Sequence, residues 1–289
     1  MAKWNRNYIL SAMAGAVIAL LAGLALLAAG VVRWNDDAET GPAPVPAQQI
    51  PPPPEIKAPI AVPLPQPPLN RQQLLSAFSA AADAVASNQP LPKDNASLVG
   101  KSFAIRLPFG CSGPMAEDAK DWAGWSYNPK TKALKLMARP EIWDAAPWVR
   151  NLAGQLPFDA AEGFWIRQPW TSSQACPADP GLEAAGGIPG ATRNTAGIVQ
   201  FFSPGSPRTL RRGVRPYAVT VKSKEEIAPG PRDYGLLING KVVGFADGQP
   251  IHCINEAANL VPVCLIAVEF GRIAFEDIAN GDILSEWSN

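Results

Sequence analysis

Cys111, Cys176, Cys253, Cys264 and the single histidine, His252, are the residues of this 289-residue chain best suited to reactive chemistry. An imidazole beside a thiol lowers the thiol's pKa and accepts its proton, which is how cysteine nucleophiles are activated. His252 adjoins Cys253 in sequence, but neighbours along a strand point to opposite faces, so the adjacency marks a structural residue rather than a catalyst. A zinc site would need a CxxC pair or several imidazoles, and neither is present, so no metal and no cofactor is expected. The carboxylates Glu117, Asp118, Glu162, Asp233, Glu256 and Glu269 are scattered, and no spacing singles out an acid-base pair. A membrane-tethered hydrolase of glycan or peptide is therefore the alternative reading, not the first.

Two groups of residues are suited to binding. Trp122, Trp125, Trp143, Trp148, Trp165 and Trp170 fall close together, and an exposed indole can stack on a sugar ring or anchor a protein partner. Tryptophan buries so much area that most of these belong in a core, with one or two left outside; Trp122, Trp125, Trp165 and Trp170 are the candidates. The second group is basic: Arg208, Arg211, Arg212 and Arg215 precede Tyr217, with Lys222 and Lys224 just after. Guanidinium forks suit carboxylate or phosphate, although a run of charge in a loop is more often a solvated face.

In an oxidising compartment the four cysteines form bridges, and three connectivities are open. The stretch Pro177–Gly197 is rich in Gly, Pro, Ala and Thr and poor in large apolar residues, which marks a boundary. It leaves two cysteines on each side, and so favours Cys111 with Cys176 and Cys253 with Cys264.

The compartment follows from the N-terminus. Tyr8–Val32 carries no charge, and as a helix it is roughly 37 Å long, enough to cross a bilayer core of about 30 Å. Lys3 and Arg6 precede it, whereas Asp36, Asp37 and Glu39 follow Arg33, which keeps the N-terminus in the cytoplasm. The run is longer than the apolar region of a cleaved signal peptide, so a signal anchor in the inner (plasma) membrane is expected, with the C-terminal head periplasmic or extracellular. Gly15, Ala19 and Gly23 recur on one face of that helix, a spacing compatible with a homodimer. Next comes a proline-dominated linker, including Pro51–Pro54, whose polyproline II conformation spans up to roughly 80 Å. One span, a linker and a periplasmic head is a layout similar to that of anchored envelope adaptors such as the TonB and SPOR-domain families; no motif carries over.

The head must position the candidates. Asn70 caps a helix from Arg71, with Leu74, Leu75, Phe78, Ala81, Ala82 and Val85 at helical spacing. Strand character begins at Leu98. Trp125–Tyr127 and Leu134–Met137 flank a turn at Asn128-Pro129-Lys130, and Asp144 with Pro147 starts a helical turn. Strands are expected at Phe164–Arg167, Ile198–Phe202, Tyr217–Val221, Val261–Phe270 and Arg272–Phe275. Asn239-Gly240 predicts a type I′ hairpin joining Tyr234–Ile238 to Lys241–Phe245, and Asp277–Trp287 reads as a short helix or irregular cap.

The fold class is thus α+β: a mainly β head tethered by one transmembrane helix and a Pro-rich linker. The divisions are a cytoplasmic tail (1–7), the span (8–32), the linker (33–70), an amphipathic helix with its connector (71–97), and two β-rich lobes (98–196 and 197–289). With 25 basic and 25 acidic residues the net charge is zero, which argues against a nucleic-acid binder. The expected role is a binding or scaffolding module, engaging cell-wall polymer or another envelope protein.

Overall fold

Asn70 opens the first helix. Its side chain accepts from the Gln73 amide at 3.0 Å, and its own N–H donates to Gln73 Oε1 at 2.9 Å. This reciprocal capping box starts α1, Arg71–Ala86, whose Leu74, Phe78 and Ala81 are buried at three- and four-residue spacing. The computed structural model describes residues 66–116, 119–155, 157–177 and 194–289. The expected span with Gly15, Ala19 and Gly23, and the linker up to residue 65, lie outside the described residues. Among the described residues no helix is long and apolar enough to cross a membrane.

After α1 a 3-10 turn occupies Lys93–Leu98, so strand begins later than expected, at Ser102. The strands are β1 Ser102–Phe109, β2 Ala123–Asn128, β3 Ala133–Ala138, β4 Glu141–Ile142, β5 Ala160–Trp165, β6 Ala196–Phe202, β7 Tyr217–Lys222, β8 Tyr234–Val242, β9 Ile251–Ile254, β10 Val263–Asp277 and β11 Asp282–Ser288. A short helix α2, Pro147–Leu152, starts with proline in its first turn, as the sequence led one to expect. The larger sheet runs β1-β8-β10-β6-β5-β4, with β9 and β11 also paired to β10; the smaller is β2-β3-β7. The mainly β reading of the head is correct.

Strand β10 is the spine of the molecule. Its first half pairs with β6 in parallel and with β9 in antiparallel; its second half pairs with β8 and β11. Cys264, Ile266 and Val268 face the main core, where Leu74 and Phe78 of α1 also pack. Leu265 and Ala267 face a smaller apolar cluster with Trp143, Val149 and Phe245. Burial on both faces explains why this strand reads as a continuous apolar run rather than an alternating one.

Three expectations need correcting. The boundary at residues 196–197 falls inside β6, and strands from both sides share sheets: β1 pairs with β8, β3 with β7, and β5 with β6. The described residues belong to one unit, Pro63–Asn289, not two lobes. Gly- and Pro-rich composition marks a connection between neighbouring strands as readily as a domain linker.

Asn239-Gly240 makes no hairpin. Strand β8 runs straight through it, and neither residue has a positive φ. Gly240 is required there for another reason, since a Cβ would collide with the Glu269 carbonyl and the Phe103 ring. The bulge between Phe270 and Arg272 lies opposite. Finally, the C-terminal segment is neither helix nor cap but strand β11, whose Trp287 packs edge-on against Tyr217 and Phe275.

Candidate functional site

The expected cysteine pairs are both present. Cys111 and Cys176 are bridged with Cα atoms 5.5 Å apart, and Cys253 and Cys264, directly opposite in the β9–β10 ladder, are bridged at 3.9 Å. The pairing is as expected although the two-lobe premise behind it is not. The ring of His252 packs edge-on against Phe245, and its Nε2 lies 2.9 Å from Asp247 Oδ2. It therefore has a structural partner of its own, and Cys253 has no free thiol to activate.

The tryptophans separate by burial. Trp125 is 1 % exposed and Trp143 is also buried, so Trp125 is a core residue and not a contact surface. Trp122 is half-buried between Phe109 and Phe164, and Trp165 lies edge-on against Trp143. Trp170 stands out at 70 % exposure.

Arg71, the first residue of α1, holds the segment that carries Trp170. Its Nε donates to the Thr171 carbonyl at 2.9 Å, and its Nη2 donates to the Gln168 carbonyl at 3.0 Å and to that of Arg167. Gln168 takes a positive φ of 49°, a conformation a non-glycine residue keeps only when its surroundings impose it. Further along, Gln174 Oε1 accepts from the Arg106 amide, and the Cys176 amide donates to Asp233 Oδ1. The segment is fastened from Arg167 to its disulfide at Cys176.

Beside it lies a second constrained loop. The Cys253–Cys264 bridge closes Ile254–Val263, which presents Val261 at 63 % exposure and Leu260 beside it. Between the two loops runs a groove of about 310 Å³, lined by Leu75, Phe78 and Ala82 of α1 together with Trp170, Val261 and Pro262. Exposed apolar residues clustered on fastened backbone are the usual mark of an interaction surface.

The arginine loop is built differently. Glu162, 2 % exposed, accepts from the amides of Arg212 and Gly213 at 2.8 and 2.9 Å. The Arg211 guanidinium pairs with Asp159 at 3.0 Å, while that of Arg212 donates to the Pro216 carbonyl and lies 5.2 Å from the Tyr217 ring centre. Arg215 donates to the Arg212 carbonyl, and Arg208 is exposed. The Tyr217 hydroxyl donates to the Leu210 carbonyl. Burial and, next, the charge of Glu162 push the tyrosine pKa above its ordinary range, against the opposing pull of Arg212. Most of this loop's polar capacity is thus turned inward.

Among the described residues the scattered carboxylates do not converge. Glu162 holds the arginine loop, Asp233 caps the Cys176 amide, and Glu269 is exposed at the rim of a separate cleft of about 410 Å³ that also includes Phe158, Phe201 and Phe245. Glu256 is exposed on the bridged loop, and Glu117 and Asp118 lie outside the described residues. Among the described residues no three His, Cys, Asp or Glu side chains are placed to hold a metal ion.

No family model, no curated protein and no solved structure matches the chain.

Proposed function

We propose that this chain is a single-pass, membrane-anchored envelope protein whose head is a binding module, and that the Trp170 groove is its contact surface. The observation that carries the reading is an indole 70 % exposed beside Val261, on two loops that a buried arginine and two disulfides hold in place. Such preorganisation lowers the ordering cost of association. Leu75, Phe78, Ala82, Val261 and Pro262 line most of the groove beside the indole, with Ser79 and Thr195 as its polar side chains, and this mainly apolar lining supports an apolar protein segment over a sugar ring as the ligand. The paired cysteines support an oxidising location for the head, and the uncharged Tyr8–Val32 run supports the anchor.

The reading is tested on spheroplasts and isolated envelopes. External protease should remove the head and leave the N-terminus protected. The wild-type protein should be retained with its envelope partner, whereas Trp170→Asp should not. Retention of the Asp variant at the wild-type level would reject the groove.

A further inference from the structure

Strands β1, β2 and β7 each end a sheet, and the fold treats their outer edges differently. Along β1, Leu69 donates to the Ser102 carbonyl and accepts from the Ala104 amide, while Gln174 Oε1 accepts from the Arg106 amide at 2.7 Å. On β2 the Trp125 carbonyl accepts from the Met115 amide at 2.7 Å. Strand β7 has no such cover. The Ser223 amide donates to the Lys132 carbonyl at 2.8 Å, which makes these opposed residues a hydrogen-bonded pair. Alternation along the ladder then turns Tyr217, Val219 and Val221 toward β3 and leaves the N–H and C=O groups of Ala218, Thr220 and Lys222 on the outer edge. None of these groups has a backbone partner among the described residues, and all three residues are exposed.

An open edge of this kind accepts another strand. The charge around it selects which. Strand β7 carries Lys222 and no acidic residue, Lys224 follows it, and Lys135 lies opposite Thr220. All three lysines are exposed, and none has an ion-pair partner among the described residues; Glu225 and Glu226, just beyond, pair with none of them. Strand β11 also has an outer edge, but its Glu286 is already paired with Arg272. A second copy of β7 would bring no carboxylate to Lys222 and Lys224, whereas an acidic segment would.

We propose that the outer edge of β7 takes an acidic peptide segment as an added strand. Its backbone bonds to Ala218, Thr220 and Lys222, and its carboxylates lie against Lys222 and Lys224. The site is independent of the proposal that the Trp170 groove binds a partner.

The test titrates the full-length protein in detergent with three dye-labelled hexapeptides of alternating sequence, Glu-Thr, Gln-Thr and Glu-Pro, read by fluorescence anisotropy and residue-level hydrogen exchange. The Glu-Thr peptide should bind saturably and its counterparts about tenfold more weakly, since one lacks the charge and the other the strand backbone. Bound Glu-Thr should slow exchange at the Ala218, Thr220 and Lys222 amides, while those of Val219 and Val221 are already slow in the free protein. Thr220→Pro, which removes an edge donor that β3 does not use, should weaken binding about tenfold. Should that variant not fold, Lys222→Glu with Lys224→Glu changes only exposed, unpaired side chains and should weaken binding as much. No saturable binding, equal binding of Glu-Thr and either counterpart, binding unchanged in the lysine variant, or no slowing at the three edge amides overturns the proposal. So does slow exchange at those amides in the free protein that grows with protein concentration, which would give the edge to a second copy.

Discussion

The Trp170 segment and the Arg208–Arg215 loop look equally promising as sequence, one for its indole and the other for its charge, yet they are built in opposite senses. Around Trp170 the polar work is done by the backbone: carbonyls of Arg167, Gln168 and Thr171 face inward to Arg71, and the indole is left outside. In the arginine loop the side chains themselves are engaged, Arg211 with Asp159 and Arg212 with the Pro216 carbonyl and the Tyr217 ring. A residue suited to binding is available for it only when its own fold has no use for it. That contrast can be broken or sharpened by experiment.

The largest effect should come from the disulfides, both of which fasten the groove side. Replacing Cys111 and Cys176 by serine releases a 65-residue separation and should destabilise the head by about 4 kcal/mol; the 11-residue separation of Cys253 and Cys264 should be worth about 3 kcal/mol on the same chain-entropy reckoning. Denaturant midpoints measure both. The reverse order would mean that loop closure is not what these bonds contribute.

Glu162→Ala should cost about 3 kcal/mol, since it leaves the Arg212 and Gly213 amides without their acceptor. Hydrogen exchange should rise across residues 208–215 while binding through Trp170 persists. Loss of binding in this variant would show that the two regions are coupled.

Trp170→Ala should weaken partner binding about tenfold or more, with stability changed by no more than about 0.5 kcal/mol. The Arg211→Ala, Arg212→Ala double variant should bind as wild type and with little dependence on salt. A steep salt dependence would move the interface to the arginines.

The smallest effect concerns pH. The folded state raises the Tyr217 pKa by burial first and by Glu162 second, so it favours the neutral hydroxyl that donates to Leu210. That contribution is complete below the unfolded tyrosine pKa of about 10 and is lost as pH rises through the folded value. Alkaline titration should therefore loosen the arginine loop before the groove, as residue-level exchange would show.

How much of this was legible in the sequence depended on the range of the cause. The Asn70 cap is a local signal and legible in the sequence, while the return bond from Gln73 that completes the box is seen in the structure. Neither Asn-Gly pair forms a type I′ turn: at Asn280-Gly281, within a four-residue loop, only the glycine takes a positive φ. Asn280-Gly281 is where the chain turns from β10 into β11, with Gly281 at φ 76°, whereas Asn239-Gly240 is held straight by β1 on one side and β10 on the other. Local turn chemistry yields when a strand has partners on both edges.

The groove was half legible. Trp170 was among the candidates, but nothing nearby in sequence distinguishes it from Trp125, which the β2 pairing carries into the core. The role of Arg71 was not legible. It depends on carbonyls 96 to 100 residues away, and carbonyls are the one acceptor every residue possesses.

Site-specific photocrosslinking in intact cells tests the central claim most directly, with the photoreactive residue placed at position 170, at 261 or at 208 of the full-length chain. The account predicts a shared adduct from positions 170 and 261 and none from 208. An adduct from 208, with 170 and 261 silent, would contradict it.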